Sequence, residues 1–199
     1  MIRALLPVSL ALALSACGPL VQIGGNAPAP AALLVLRSDV PPPAWAGPTA
    51  LADTLAIAVP DVPAELQTLR LPVQLDGASV QYLAGASWSE QPNRQFQRLL
   101  NDRLAAAGIA VLDSRGGNVA AARVLTGHLR EFGLDVRGNP MVRVRYDAQL
   151  AGPRSAGTVA LRSFIAEEPV PRQQPAAVAG ALSRASNRLA AEVAAWVKG

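Results

Sequence analysis

His128 is the only histidine in the 199-residue chain, and Cys17 is the only cysteine. A histidine works as a general base only where a nucleophile and an orienting acid meet it. His128 lies in the strand-like run Thr126-Gly127-His128-Leu129-Arg130, and the chain has no G-x-S-x-G elbow. It reads as a strand residue without a catalytic role. Asp147 and the pair Glu167-Glu168 are the candidate acid/base carboxylates. Neighbours on a strand point to opposite faces, so Glu167 and Glu168 could not share a substrate. Just ahead of Pro169-Val170-Pro171 they read as solvated loop charges. Arg115-Gly116-Gly117-Asn118 lacks the lysine and the spacing of a phosphate loop. One cysteine and one histidine exclude a tetrahedral Cys/His zinc site, an iron–sulfur cluster and a disulfide framework. With no catalytic set and no metal set, the expectation is a non-enzyme without a cofactor.

Cys17 has a different chemistry. Arg3 supplies a positive start, Leu5 to Leu14 an apolar run too short to span a bilayer, and small residues then lead to the cysteine. The run Leu14-Ser15-Ala16-Cys17 is similar to a bacterial lipobox. That similarity implies cleavage between Ala16 and Cys17, a diacylglycerol on the thiol and an acyl group on the new amine. Each buried methylene contributes about 0.8 kcal/mol, so two or three chains anchor a protein almost permanently. Gly18 follows the cysteine where the enterobacterial inner-membrane signal has Asp, which favours the outer membrane. The expected organisation is a signal peptide over 1–16, a lipidated flexible tether over 17–32 and one domain over 33–199.

The balance of the chain fits a packed domain. Hydrophobic residues are 51% and charged residues 16%, too apolar for disorder. The formal charge is +4, yet the arginines are scattered singly from Arg37 to Arg188 and Lys198 is the only lysine. Without a basic stripe or a recognised module, no nucleic-acid partner is expected.

Several elements would carry these residues. Leu33-Leu34-Val35-Leu36 is a candidate first strand, and the prolines at 41–43 and 48 make 37–52 an irregular excursion. Thr54 to Pro60 alternates as a core strand. Residues 69–83 read as a hairpin turning at Asp76-Gly77, with Pro72 demoting its first strand to an edge or interrupted one. Ser87-Trp88-Ser89-Glu90 has the spacing of a capping box. The helix expected behind it, Glu90 to Ala107, has Phe96, Leu99, Leu100, Leu104 and Ala107 on its apolar face. Asn93, Arg94, Gln97, Asn101 and Asp102 lie mostly outside that face, and Gly108 is the stop. A short strand over 109–112 precedes a meander: Arg123–Val136, bulged by Gly127 and Gly133; Val142–Leu150; and Thr158–Ala166, entered by a turn at Gly152-Pro153-Arg154-Ser155. A helix from Gln174 to Val197 closes the chain. The expected fold is α+β: one mainly antiparallel sheet of about five or six strands packed by two helices.

The aromatic residues are candidates for docking. Trp45 in its proline-rich segment, Trp88 at a helix start and Tyr82 in the hairpin could anchor a partner, and Trp45 could meet lipid headgroups. Core or staple packing is the competing account of both tryptophans, and Trp196 reads as core.

The order of elements resembles the ABC-type transport auxiliary lipoproteins, the group that includes paraquat-inducible protein C. The resemblance spans about residues 33–197. It rests on the lipobox, the strand Ala56-Ile57-Ala58-Val59-Pro60, the hairpin ending Val80-Gln81-Tyr82-Leu83, the Trp88-Ser89-Glu90 turn into a helix, and the Ala-rich last helix. It implies a non-catalytic role beside an MCE-domain (mammalian cell entry) protein and an ABC transporter that move lipids or other hydrophobic molecules across the envelope. The implied place is the periplasmic face of the outer membrane, where the protein would dock the MCE component. A ring-like homo-oligomer would suit a cap on a tubular MCE assembly. Two other readings stand beside it: an outer-membrane assembly or structural lipoprotein, and a direct lipid carrier with an apolar cavity between helix and sheet.

Overall fold

The structure is a computed structural model that describes residues 32–112, 120–152 and 158–199. In chain order its elements are β1 (Thr54–Ile57), β2 (Arg70–Gln74), β3 (Val80–Ser87), α1 (Pro92–Ala106), β4 (Ala110–Leu112), β5 (Arg123–Asp135), β6 (Met141–Ala151), β7 (Ala160–Pro169) and α2 (Pro175–Lys198). The fold is α+β, as the patterning predicts, with both expected helices. Among the described residues the sheet has seven strands and is mixed.

β5 is the axis of the sheet. One edge pairs antiparallel with β6 along its whole length, and β6 pairs antiparallel with β7. The other edge is shared end to end. β1 runs parallel to the start of β5 (Leu55 beside Arg123), and β2 runs parallel to its end (Val73 beside Leu134). An isolated bridge between Asp61 and His128 closes the interval. β4 lies outside β1, and β3 lies outside β2. The long ladders are antiparallel; the short parallel ones raise the strand count above the expected five or six. Alternation identifies a strand but does not fix the direction of its neighbour.

The bulges do topological work. The register of β5 against β6 shifts between Leu129 and Glu131. Leu125 and Leu129 before the shift, and Phe132 and Leu134 after it, are therefore all buried despite their change of parity. Pro72, expected at an edge or an interruption, lies in an interior strand at the register shift between Arg70 and Pro72. There it precedes the first pair of β2 with β5, Val73 beside Leu134. Gly133 makes room for it: a Cβ at Gly133 would stand 2.5 Å from the Pro72 carbonyl oxygen.

Both helices cover one face of the sheet. Gln97 of α1 donates to the carbonyl of Ile57 at the end of β1, and Arg123 at the start of β5 donates to the carbonyl of Val197 at the end of α2. Each helix thus runs against β1 and β5, and the two helices run parallel to each other. The interlayer is filled by Trp88, Tyr146, Phe96, Phe164 and the leucines around them. Ring pairs Trp88–Phe132, Phe96–Tyr146 and Phe164–Trp196 lie 5.4–5.7 Å apart.

Several local expectations need correction. Leu33–Leu36 forms no strand, only a bridge from Leu34 to Trp88. The capping box does not form: β3 takes up Ser87, Glu90 pairs with Arg98, and Pro92 opens α1 with no side-chain cap. Gly108 does stop the helix, at φ +85°. Its N–H bonds the Ala105 carbonyl, and the Ile109 N–H bonds Leu104, a Schellman closure. Glu167 and Glu168 lie in β7, not in a loop. The expected lipobox, tether and residues 115–118 and 153–155 fall outside the described residues.

Candidate functional site

The segment from Leu34 to Asp39 lies as an extended strap across the two helices, held by backbone and side-chain hydrogen bonds. The Leu34 N–H donates to the Ser87 carbonyl at 2.7 Å, and the Ser89 N–H donates to the Leu34 carbonyl at 2.9 Å. The Leu36 N–H donates to Gln95 Oε1 at 2.7 Å. Asn187 Nδ2 donates to the Arg37 carbonyl, and Asn187 Oδ1 accepts from the Asp39 N–H, both at 2.9 Å. Arg103 pairs with Asp39 at 2.6 Å. An extended segment must find partners for its backbone groups outside a ladder. Here two buried amides on neighbouring helices supply them.

Sequence reading missed both amides, and it put Gln97 mostly outside the apolar face although Gln97 is buried. A signal was present. Gln95 is four residues before Leu99, and Asn187 is three and seven residues before Ala190 and Ala194, so each lies on the buried stripe. An amide on a buried stripe must be hydrogen-bonded.

The aromatic candidates separate. Trp88 is 1% exposed and packs on Phe132, so its ring sits in the core and offers no docking surface. Trp45 is 55% exposed in the irregular excursion. Tyr82 is half-buried on β3; the Arg70 guanidinium lies 4.1 Å from its ring centroid. Cys17 and Ala16 lie outside the described residues.

The sheet face away from the helices carries a lattice of charges. Asp147 accepts from Ser163, Arg130 and Arg145. Burial raises its carboxyl, but these three bonds outweigh that, and its pKa lies below the ordinary carboxylate value. Hydrogen bonding from Arg137 holds Asp135 low. Arg143 reaches Glu167 at 2.8 Å. A cleft of about 290 Å³ on this face is lined by Gln74, Glu131, Asp135, Arg137 and Arg143, among others. On the helix side Glu168 accepts from Arg184 and Arg188, which hold it low too. Burial raises the Tyr146 phenol, whose hydroxyl donates to the Thr126 carbonyl.

The charged groups on this face and beside α2 are held in ion pairs. His128 Nδ1 stands 3.9 Å from an Asp61 carboxylate oxygen, and both side chains are substantially exposed. That separation is beyond hydrogen-bond reach. Among the described residues, no three His, Cys, Asp or Glu side chains are placed to share a metal ion, and no helix is long and apolar enough to cross a membrane. The helix side adds two open grooves. One, of about 420 Å³, lies between the strap and α1. The other, of about 550 Å³, has Pro41, Pro43 and five alanines of α1, its C-terminal cap and α2 in its lining.

Residues 35–194 match the family described as ABC-type transport auxiliary lipoprotein component, and the chain belongs to that family. No curated protein matches the chain. Among solved structures it is similar to protein XCC0632 from Xanthomonas campestris, assigned to DUF330. The TM-score is 0.70 at 22% identity over 84% of this chain and 94% of that one. It is also similar to an uncharacterized protein of known crystal structure, with TM-score 0.63 at 14% identity over 81% and 99%. Hypothetical protein CT253 from Chlamydia trachomatis gives TM-score 0.49 at 12% identity over 73% and 95%. At these identities the first two likenesses are of fold.

Proposed function

We propose that this protein is a non-catalytic lipoprotein of an MCE/ABC-type system that moves lipids or other hydrophobic molecules across the envelope. Acylated Cys17 anchors it at the periplasmic face of the outer membrane, and the domain docks the MCE component there. ATP hydrolysis belongs to the transporter, and the only prosthetic chemistry is the lipid on Cys17. The observation that carries this reading is the family match over residues 35–194. The site supports it: the strap, ladder and ion-pair contacts suit a docking body on a tether. The side-chain-filled interlayer speaks against an enclosed lipid-carrying cavity between helix and sheet.

The test is complementation of a strain lacking the protein, scored by envelope permeability. Cys17→Ala is expected to lose function by losing the anchor. His128→Ala and Glu168→Gln are expected to retain it. Full loss in a folded, anchored His128→Ala protein overturns the non-catalytic reading.

A further inference from the structure

The thirteen residues from Val40 to Ala52 carry no ionisable side chain, and Asp39 and Asp53 bound the run. From Pro41 to Ala52 every residue is exposed, Trp45 at 55% and Leu51 at 52%. Four of the thirteen are prolines. Proline has no backbone N–H, so such a run has fewer donors to satisfy when it leaves water. An exposed apolar segment of this kind marks a contact surface. The fold places it at one end of the domain. Pro41 and Pro43 share a groove with Ala106, Ala107, Ala194 and Ala195, at the C-terminal ends of α1 and α2. Leu51 is three residues before β1, and Arg123, beside Leu55 of β1, reaches the end of α2.

We propose that residues 40–52 are a lipid-contact segment, with Trp45 and Leu51 seated at the boundary of headgroups and acyl chains, so that the domain meets the bilayer at the C-terminal ends of its helices. Tryptophan suits that boundary because its apolar ring carries one polar N–H. A protein partner is a poorer fit. Protein interfaces carry about one hydrogen bond per 100–200 Å², and the side chains here supply only the Trp45 indole and the Thr49 hydroxyl. A fluid lipid boundary asks for no fixed set of partners. Reach permits the arrangement. The strap starts beside Ser87, ahead of α1, and α1 spans ~22 Å at 1.5 Å per residue. Leu34 is 17 positions after Cys17, a contour of at most ~56 Å at about 3.3 Å per residue. The presence of a bilayer rests on the anchor proposed at Cys17; the exposure and the lack of charge do not.

The test reconstitutes the full chain, purified from membranes, into vesicles of phosphatidylethanolamine and phosphatidylglycerol with brominated acyl chains. Bromine quenches a tryptophan only at close contact. Wild-type emission is expected to fall relative to unbrominated vesicles. Trp45→Phe is expected to lose that difference while floating with the vesicles and melting like wild type, because Trp88 is enclosed in the core. Cys17 is the only cysteine, so with Cys17 acylated Ala44→Cys adds a single free thiol. A polarity-sensitive dye there is expected to shift to the blue on vesicles. The same dye at Gly138→Cys, in the turn after the far end of β5, is expected not to shift. Emission that bromine leaves unchanged in a chain that floats overturns the proposal and leaves the anchor standing. A chain that does not float overturns both. A photocrosslinker at Ala44→Cys in native membranes that captures a protein and no lipid also overturns the proposal.

Discussion

The Oε1 of Gln95 accepts a hydrogen bond from the amide of Leu36 at 2.7 Å, across 59 positions of sequence. This bond, with the pair made by Asn187, fixes the N-terminal strap to α1 and α2. A buried donor without a partner costs about 1–3 kcal/mol. Gln95→Leu is therefore expected to lower stability by about that much. Hydrogen exchange should show the loss at its source, with the Leu36 and Asp39 amides exchanging faster and those of β5 unchanged. Unaltered protection of Leu36 would contradict this role.

Trp88 and Trp45 should behave in opposite ways. Trp88 is enclosed beside Phe132, and replacing a buried tryptophan with alanine costs about 3–5 kcal/mol. Trp88→Ala is expected to lower the thermal midpoint by roughly 6–20 °C at about 2–4 °C per kcal/mol. Trp45→Ala, at an exposed position, is expected to stay within about 0.5 kcal/mol of wild type. Thermal unfolding by circular dichroism decides it, and an unchanged midpoint for Trp88→Ala would be the contrary result.

Two glycines hold space for neighbouring backbone. A Cβ at Gly127 would stand 2.3 Å from the Asp147 carbonyl oxygen, and one at Gly133 would stand 2.5 Å from that of Pro72. Forcing a methyl into either contact is expected to cost about 1–3 kcal/mol. Gly138→Ala meets nothing within 4 Å and is the control. Urea midpoints should fall for the first two variants and hold for the third.

Acid should weaken the fold through Glu168, Asp135 and Asp147. Hydrogen bonds from Arg184 and Arg188 hold the Glu168 carboxyl below its ordinary value; the Arg137 bond does so for Asp135, and for Asp147 three donors outweigh burial. In the unfolded chain these carboxyls bind a proton near pH 4. In the folded protein they bind it only at lower pH. Their stabilisation is therefore complete above about pH 4 and disappears as pH falls through the lowered folded values. Glu168→Gln should be less stable than wild type by about 0.5–1 kcal/mol at pH 7. Chemical denaturation should show the two proteins converging as pH falls from 7 through the lowered folded value of Glu168; a constant gap as the carboxyl is protonated would contradict the ion-pair account.

The fold was legible where a pattern is local. The apolar face of α1, the Gly108 stop, the period-2 run of β6 and the Ala-rich α2 follow from spacing. What was not legible depends on contacts distant in sequence. The parallel approach of β1 and β2 to one edge of β5 leaves no mark on either strand's alternation. Ser87 has the spacing of a cap, but β3 absorbs it. Glu167 and Glu168 look like loop charges until arginines from β6 and α2 reach them. The strap was the largest omission, because Gln95 and Asn187 look like ordinary polar helix residues until the segment they hold is placed.

The central claim is that the domain docks a transport assembly at the membrane. The most direct measurement is a gentle-detergent pull-down of the tagged, full-length protein from native membranes, with mass spectrometry of everything retained. An MCE-domain protein together with an ABC ATPase is the predicted result. Recovery of only a β-barrel protein or cell-wall material would contradict the account and favour an assembly or structural role.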